Sequence, residues 1–372
     1  MGNKIIKVFF LFVGILLIQD LSTLANTVWG SKNNLLFKKR IKAGVAQMDI
    51  TPPVGIRLAG YFSERVSTGI HDPLWAKAIV LQQGKEKFAF LFCDLAGLDR
   101  SFTKVVREQI SAKIGIPVSS IIIAATHTHT GPMFYGSTYE PTLKTLSNLS
   151  AKKFGQDPYL KSEYPSYLNS QIVKAAVLAN NNLRPVYLET TVAKQQDEVS
   201  FNRRFHMKDG SVRFNPGVLN PNIIRPVGPI DPDLSLLTFR DQKTREIFGG
   251  LTVFALHLDV IGGVDLSADY PYFLEQALKK QIGVNFFSAF GLGTCGDINH
   301  INVKKENTVS SKQNSEQIGK LLAQTIIKAF PKLYTVKSPS FKMVSKTIVA
   351  PLQKITDKQL AYAKQEVDKL YG

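Results

Sequence analysis

Short apolar runs alternate with amphipathic segments through the body of the chain. The apolar or alternating runs predict strands at 45–50, 76–82, 87–93, 120–126, 183–192, 234–240, 248–257 and 285–290. Apolar residues at helical spacing predict helices at 101–114, 165–180, 316–330 and 357–370. Strands interleaved with helices indicate an α/β fold, and the hairpin connections indicate mixed β-sheets flanked by helices.

The first residues of the chain have the pattern of an export signal. Lys4 and Lys7 precede an apolar run at 8–18, and a small-residue segment follows it up to Ala25. The run is too short to span a bilayer, which requires about 20 residues. We therefore expect a signal peptide at 1–25 that is cleaved near Ala25, and a secreted or periplasmic product. An uncleaved N-terminal anchor is the alternative.

The remaining chain divides into a polar leader at 26–41 and one α/β domain at 42–372. Within that domain, residues 133–165 are polar and weakly patterned, which predicts an insertion over one end of the sheet. The 372 residues are 44% apolar and 20% charged, a composition that excludes collagen, coiled coil and wholesale disorder.

Positive charge is in excess, and it is concentrated late in the chain. The formal net charge is +17, and residues 301–372 hold 13 Lys against 5 acidic residues. Such a balance favours contact with an anionic surface such as a membrane, although an evenly solvated basic surface is the simpler interpretation. No basic helix or aromatic RNA-binding motif accompanies it, so we expect no nucleic-acid partner. Cys93 and Cys295 predict either one bridge or, as we favour, two separate buried thiols.

A histidine pair follows the predicted strand at 120–126. In extended backbone, residues i and i+2 project from the same face, so His127 and His129 are expected to converge. Gly131 and Pro132 then end the strand at its carboxyl end, where open α/β sheets keep ligand sites. The alternative is a pair of hydrogen-bonded histidines at a loop edge.

His257 ends a second apolar strand and is the natural partner of the histidine pair. Imidazole is a good zinc ligand, and a catalytic zinc needs about three protein ligands and one open position. A satisfied core histidine is the alternative for His257. Asp94, Asp259 and Asp269 are candidates to orient the rings, although a solvated carboxylate is the simpler interpretation of Asp259.

Two further segments have the character of site walls. Arg203 and Arg204 follow Phe201 and Asn202 in a β-like stretch, and adjacent guanidinium groups suit a carboxylate or a carbonyl oxygen. The glycine-containing loop at 293–299 is suited to present amide groups to an oxyanion. Ordinary surface arginines and a plain turn are the alternatives.

The run Thr126-His127-Thr128-His129-Thr130-Gly131-Pro132 resembles the T-H-T-H-S-G-P signature of the neutral/alkaline non-lysosomal ceramidase family, in its N-terminal catalytic domain. Further similar segments occur in the same order over residues 42–350: 69–71 through 76–78, 202–204, 228–232, the His257 strand, 267–271 and 295–299. The resemblance implies the fold of that domain and hydrolysis of the N-acyl amide bond of ceramide at a zinc site.

The resemblance also implies roles for individual residues. His127 and His257 would be metal ligands, His129 would lie over the substrate, and Arg203 would hold or polarise it. Asn202, Gly296 and Asp297 stand in the matching substrate-binding segments.

The chain departs from the family pattern in two places. Asn299 stands where the ceramidases carry a site serine, so a serine mechanism is not implied; Asn299 would donate a hydrogen bond, and a zinc-bound water would be the nucleophile. The Glu and Tyr that complete the family's zinc site further downstream have no match. We therefore expect a C-terminally shortened bacterial-type member with an incomplete metal site.

These inferences combine into one functional prediction and two alternatives. The prediction is a zinc-dependent hydrolase that uses a metal-activated water on a small-molecule or lipid amide. The first alternative is an exported, non-catalytic or incomplete domain that binds anionic lipid or polysaccharide through its lysine-rich C-terminal part. The second is a degraded relative without activity.

Overall fold

A computed structural model describes residues 7–8, 41–132 and 163–371, except for 62, 64, 196, 307, 338 and 347. The predicted signal peptide, leader and insertion lie almost entirely outside the described residues, so these three assignments stay predictions. The chain divides into two compact units, which are described separately: Met1–Lys39 with Ser340–Gly372, and Arg40–Pro339.

Strands make up most of the larger unit. They are β2 (Ile41–Asp49), β3 (Gly69–Ile70), β4 (Trp75–Gln83), β5 (Glu86–Cys93), β6 (Ile121–Ala125), β7 (Arg184–Lys194), β8 (Phe201–Asn202), β9 (Arg204–Met207), β10 (Val212–Phe214), β11 (Ile223–Pro226), β12 (Asp233–Asp241), β13 (Ile247–Phe254), β14 (Asp265–Leu266), β15 (Phe287–Leu292), β16 (Ile298–Asn299) and β17 (Tyr334–Thr335). The helices are α1 (Arg100–Ile114), α2 (Tyr164–Asn181), α3 (Tyr270–Ile282) and α4 (Ser311–Ala329).

The principal sheet is mixed. Its strand order is β15-β13-β12-β7-β2-β4-β5-β6, with β17 also paired to β7. The pairs at its two ends, β5 with β6 and β13 with β15, are parallel, and the other pairs are antiparallel. The predicted class, mixed β-sheets flanked by helices, is therefore confirmed.

Each half of this sheet has its own helical cover and core. Val106 and Ile110 of α1 and Leu168 and Ile172 of α2 pack with Leu91 and neighbouring residues of β4 and β5. The second core joins β12, β13 and β15 to α3 and α4; its members include Leu236, Phe254, Phe290, Leu274 and Leu322. The apolar face of each helix thus covers one half of the sheet.

The two halves are joined by little backbone pairing but meet through a buried ion pair. β2 pairs with β7 only at Lys42–Pro185 and Ala43–Arg184. From β4, the buried Lys77 ammonium donates to the Glu275 carboxylate of α3 and, at 2.8 Å, to the Ser288 carbonyl of β15. Lys77 therefore links the β4 half of the sheet to the β15 half.

The sequence pattern correctly predicts the eight long strands of the principal sheet and three of the four helices of the larger unit. It does not predict α3 or the short strands β3, β8–β11, β14, β16 and β17. Asp269 caps this helix by accepting from the Tyr270 amide, and Pro271 lies in its first turn. An Asp followed by Pro is a helix start signal, so the pattern that was overlooked is present in the sequence. Next to the histidines, two predicted strand ends are wrong: β6 ends at Ala125, and β13 ends at Phe254, three residues before His257.

The predicted pair of separate thiols is confirmed, since Cys93 and Cys295 are both free and buried. In the smaller unit, β1 (Lys7–Val8) pairs antiparallel with β18 (Ile348–Val349), and α5 covers Asp357–Tyr371. None of the helices in the described part of the chain has both the length and the apolar character needed to cross a bilayer.

We expect Lys77→Met to lower the free energy of unfolding by about 3–5 kcal/mol, because it leaves the buried Glu275 carboxylate without its main counter-charge. Urea unfolding measures this change. Lys279→Met is the matched control: Lys279 pairs with the same carboxylate at 2.7 Å from a more exposed position, so its loss should cost about 1 kcal/mol or less. Addition of Glu275→Leu to Lys77→Met should recover most of the loss. Equal effects of Lys77→Met and Lys279→Met would contradict this account.

Candidate active site

Three histidine rings meet in the larger unit. One ring nitrogen from each of His127, His129 and His257 lies within 4.8 Å of the other two. The ring centroids are 4.7–4.9 Å apart, and the ring planes are close to perpendicular. The predicted convergence of these three rings is therefore present, and it follows strands at opposite ends of the principal sheet.

The backbone reaches this arrangement in a different way from the one predicted. His127 has φ +74°, the left-handed region that side chains other than glycine rarely adopt, so 127–129 is not an extended strand. The amide of His127 donates to the Leu95 carbonyl at 2.8 Å, and the amide of His129 donates to the Leu258 carbonyl at 2.9 Å. The histidine pair is thus tied to the segment after β5 and to the segment after β13.

Two of the rings are oriented by backbone carbonyls. Nδ1 of His127 lies 2.6 Å from the Ala96 carbonyl oxygen, and Nδ1 of His257 lies 3.2 Å from the Cys295 carbonyl oxygen. A carbonyl can only accept, so the hydrogen-bond network assigns the proton to Nδ1 in both rings. Nε2 of each ring is then left with a free lone pair.

His129 has a different environment. Its Nε2 lies 3.4 Å from Nε2 of His127, and its buried Nδ1 has no hydrogen-bond partner among the described residues. The ring of Tyr61 contacts it edge-on, with centroids 5.5 Å apart. Burial, together with the neighbouring His127 and His257, lowers the pKa of His129 to about 4 despite the opposing effect of Asp259. The ring is therefore neutral at pH 7.

A carboxylate lies beside the three rings. Burial lowers the pKa of His257 as well, so this ring also favours its neutral form. Burial alone would raise the pKa of Asp259, but the hydrogen bond from His300, at 3.3 Å, and the adjacent histidines lower it overall. Neutral nitrogens beside an ionised carboxylate form a suitable environment for a divalent cation.

The donor set fits zinc. Zinc binds neutral imidazole, and zinc-bound histidines usually donate their other ring N–H to a carbonyl or carboxylate. His127 and His257 meet the second condition, because Nδ1 of each lies beside a backbone carbonyl. Nδ1 of His129 has no such partner among the described residues. His127 and His257 could therefore hold an ion through Nε2, and His129 supplies a third nearby nitrogen.

The predicted wall residues form a connected framework. β8 pairs with β16, which sets Asn202 opposite Ile298. The amide of Asn202 donates to the Asp297 carboxylate at 2.9 Å. Nε and Nη2 of Arg203 both donate to the Gly296 carbonyl, and its guanidinium lies 4.4 Å from the centre of the Phe214 ring. Nη1 of Arg203 has no recorded hydrogen bond in the described part of the chain.

Arg203 also acts on the cluster electrostatically, because its charge contributes to the lowered pKa of His257. The loop at 293–299 is predicted to present backbone amide groups to an oxyanion. In the structure, Gly296 of this loop instead accepts hydrogen bonds from Arg203 through its backbone carbonyl. Asn299 is fully buried, and its side-chain amide donates to Asn215 at 2.9 Å. No recorded contact within the described residues joins Asn299 to the histidines.

The carboxylates proposed as orienting groups have other partners. Asp94 accepts from the Trp75 amide and from Thr126. Asp269 accepts from the Val260 and Ile261 amides. Both carboxyls have a pKa raised to about 6 by burial. Asp259 is largely buried and contacts His300, so the interpretation as a solvated carboxylate is wrong.

Several residues of the site escaped the sequence interpretation. The carbonyls of Ala96 and Cys295 carry no side-chain signal. Gly60 has φ +102°, and a Cβ there would lie 2.4 Å from Cγ of His129. Arg65 donates to the His129 carbonyl and lies 4.1 Å from the centre of the Tyr61 ring. Only His300, next to a motif already identified, had a chemical signal that could have been followed.

Comparison with known proteins identifies what this chain is similar to. Residues 41–317 match the family described as neutral/alkaline non-lysosomal ceramidase, N-terminal. The neutral ceramidase of Pseudomonas aeruginosa is 24% identical over 310 residues, which are 79% of this chain and 41% of that protein. The chain thus spans less than half the length of that relative.

Solved structures agree with this similarity at the level of the fold. The crystal structure of the Pseudomonas aeruginosa neutral ceramidase has a TM-score of 0.62 and 22% identity, over 78% of this chain and 44% of that one. A structure described as ceramidase complexed with C2 has a TM-score of 0.60 and 21% identity, over 78% and 43% of the two chains.

We expect Gly60→Ala to displace the His129 ring, because the added methyl group would overlap with that ring. Gly55→Ala is a matched control: Gly55 also has a positive φ, +96°, but no atom lies within 4 Å of its added Cβ. Both variants should lose about 1 kcal/mol or more of unfolding free energy through backbone strain. The NMR chemical shifts of the His129 ring measure its displacement, and they should move only for Gly60→Ala. Unchanged His129 ring shifts in Gly60→Ala would contradict the close packing of Gly60 on His129.

Proposed function

The chain belongs to the neutral/alkaline non-lysosomal ceramidase family, and from this membership we propose that it hydrolyses the N-acyl amide bond of a ceramide-like lipid at a zinc site formed by its histidine cluster. The observation that carries the proposal is the meeting of His127, His129 and His257, with two of the rings oriented by carbonyls. One nitrogen of each ring lies within 4.8 Å of the other two, as the ligands of a single ion must.

His127 and His257 hold the ion in this proposal. Their Nδ1 protons are engaged by the Ala96 and Cys295 carbonyls, so the remaining Nε2 lone pairs are fixed in direction. Zinc at these nitrogens supplies Lewis-acid polarisation of a carbonyl and lowers the pKa of water. The third ring and the Asp259 carboxylate add a nitrogen and a negative charge at the same place.

His129 and Arg203 act on the substrate. The His129 ring is neutral at pH 7 and lacks a partner for its Nδ1, so it can accept a hydrogen bond or a proton during the reaction. In this proposal Nη1 of Arg203 binds the amide oxygen, because Nε and Nη2 already donate to the Gly296 carbonyl. Asn202 and Asp297 support Arg203 from the neighbouring residues: their side chains are hydrogen-bonded to each other, and the Arg203 amide donates to the Asp297 carbonyl.

Water is the nucleophile that these residues best support. Asn299, at the position of the family's site serine, is buried and bonded to Asn215, and an amide is not a nucleophile. The non-catalytic alternative is not favoured, because the family match and the histidine cluster both point to hydrolysis.

Export also remains a proposal, supported by Lys4, Lys7 and the apolar run that follows them. Expression of the whole chain in a bacterium with a general secretion pathway should yield a product that begins at Asn26, as determined by N-terminal sequencing. Recovery of the protein in the cytoplasm with Met1 or Gly2 at its N-terminus would contradict export.

We expect the purified chain to bind about one equivalent of zinc, since the cluster offers a single site. His127→Ala and His257→Ala should each abolish zinc binding measured by elemental analysis, and chelation should abolish hydrolysis of a fluorescent short-chain N-acylsphingosine. His129→Ala should keep zinc but lower turnover by about 10²-fold or more, as expected for a lost proton-transfer group.

His206→Ala is the control for these variants, because His206 lies on β9 outside the cluster. It should bind zinc and hydrolyse the substrate as the unmodified chain does. Unchanged zinc content in both His127→Ala and His257→Ala would refute the metal site. Loss of zinc from His129→Ala would refute the division of roles, and zinc binding without amide hydrolysis would refute the substrate class.

A further inference from the structure

The three-stranded sheet β10-β9-β11 carries an unusual set of exposed side chains. Phe205 and Met207 of β9 are buried, so the residues that alternate with them, Arg204 and His206, belong to the other face of the sheet. Phe214 and Val212 of β10 pair with Arg204 and His206 and therefore belong to that face as well. Exposed apolar side chains on this sheet and its connecting turn are Val212, Phe214, Val218, Leu219 and Ile224. Exposed basic side chains beside them are Arg204, Lys208 and Arg225. These eight residues are called the β9–β11 face.

We propose that the β9–β11 face docks on an anionic lipid bilayer and brings the histidine cluster to its lipid substrate. The inference rests on the proposed function for the identity of that substrate. Single exposed apolar residues are ordinary on a protein surface, but a group of them rimmed by charge marks an interaction site. Phe214, Leu219 and Ile224 are 55%, 56% and 59% exposed, so burial in a bilayer would remove substantial apolar area from water.

The charge on this segment favours an anionic surface. Residues 203–226 contain five cationic side chains and one acidic side chain, Asp209. Asp209 is bonded to Arg213 at 2.6 Å, which leaves the excess positive charge on the other cationic side chains of this segment. The turn of the sheet also contacts the segment before Lys304 and Lys305, since the Leu219 amide donates to the Val303 carbonyl. Basic and apolar side chains together are the pattern of an interfacial lipid-binding surface.

The β9–β11 face is continuous with the candidate active site. Arg203, immediately before β9, contacts both the Phe214 ring of this face and the Gly296 carbonyl of the site wall. Asn215, the residue that follows β10, accepts a hydrogen bond from the side-chain amide of Asn299. A bilayer bound at this face would therefore lie next to the residues proposed to hold the amide.

The test is flotation of the full chain with vesicles that contain no ceramide, so that binding is measured without turnover. We expect binding to vesicles of phosphatidylcholine with phosphatidylglycerol, weaker binding to phosphatidylcholine alone, and a loss of binding with added salt. Leu219→Asn with Ile224→Thr should weaken binding by about tenfold, since half-exposed apolar groups are removed. Arg204→Gln with Arg225→Gln should weaken binding to the anionic vesicles by about tenfold or more.

Matched controls separate this face from general surface properties. Val192→Thr with Val284→Thr removes apolar side chains that are 58% and 80% exposed elsewhere, and binding should be unchanged. Lys354→Gln with Lys358→Gln removes exposed charge from the lysine-rich C-terminal part, and most binding should remain. Thermal unfolding and zinc content, measured for every variant, establish that each has folded.

Several outcomes would overturn the proposal. The first is that vesicle binding is lost only in the Lys354→Gln, Lys358→Gln variant. The second is that the Leu219→Asn, Ile224→Thr variant binds vesicles normally and that soluble heparin fully displaces the protein from them. Self-association through this face without vesicle binding, measured by sedimentation, would show that a second copy covers it. Hydrolysis of a soluble short-chain amide without vesicle binding would refute the docking surface and leave the proposed function intact. Vesicle binding without hydrolysis would refute the proposed function and leave the docking surface intact.

Discussion

The candidate site depends on one electrostatic constraint: three imidazole rings can meet at one point only if they are uncharged. Protonated rings at these distances would repel one another in a poorly solvated environment. Burial resolves this by lowering the pKa values of His129 and His257. Neutral rings still have nitrogens to satisfy, and the carbonyls of Ala96 and Cys295 satisfy one nitrogen each on His127 and His257. What remains is a set of lone pairs suited to a cation.

The fold supplies the positions that this constraint requires. Ala96 and His127 follow the parallel strands β5 and β6, while His257 and Cys295 follow the parallel strands β13 and β15. These pairs lie at opposite ends of the principal sheet, so the cluster can form only if the two halves are brought together. Lys77 connects the halves through Glu275 and Ser288, which explains why an ion pair occupies an otherwise apolar interior. The stability of this connection and the geometry of the site are thus physically linked.

Most of the fold could be predicted from hydrophobic pattern, because buried strands and amphipathic helices leave a periodic record in the sequence. The histidines could be identified for a chemical reason: few residue types bind metals or carry protons near neutral pH. The path of the backbone around them could not be predicted. Tertiary contacts that leave no local pattern in the sequence determine three features: the left-handed backbone of His127, the contact of its ring with the Ala96 carbonyl, and the packing of His129 on Gly60. His257 illustrates both cases, since the residue was identified while its strand ended earlier than predicted.

The charges around the cluster explain why its three rings are not equivalent. Arg203 contributes to the lowered pKa of His257, whereas the charge of Asp259 partly opposes the lowering of the pKa of both His129 and His257. Arg65 donates a hydrogen bond to the backbone carbonyl of His129, and the Tyr61 ring contacts the His129 ring. His127 and His257 are therefore fixed through their side chains, whereas His129 is fixed through its backbone and by packing against Gly60. A ring that is held in place without a bond to its free nitrogen is the one that can exchange a proton with a bound molecule. The proposed division between two ion-binding rings and one substrate-facing ring rests on this asymmetry.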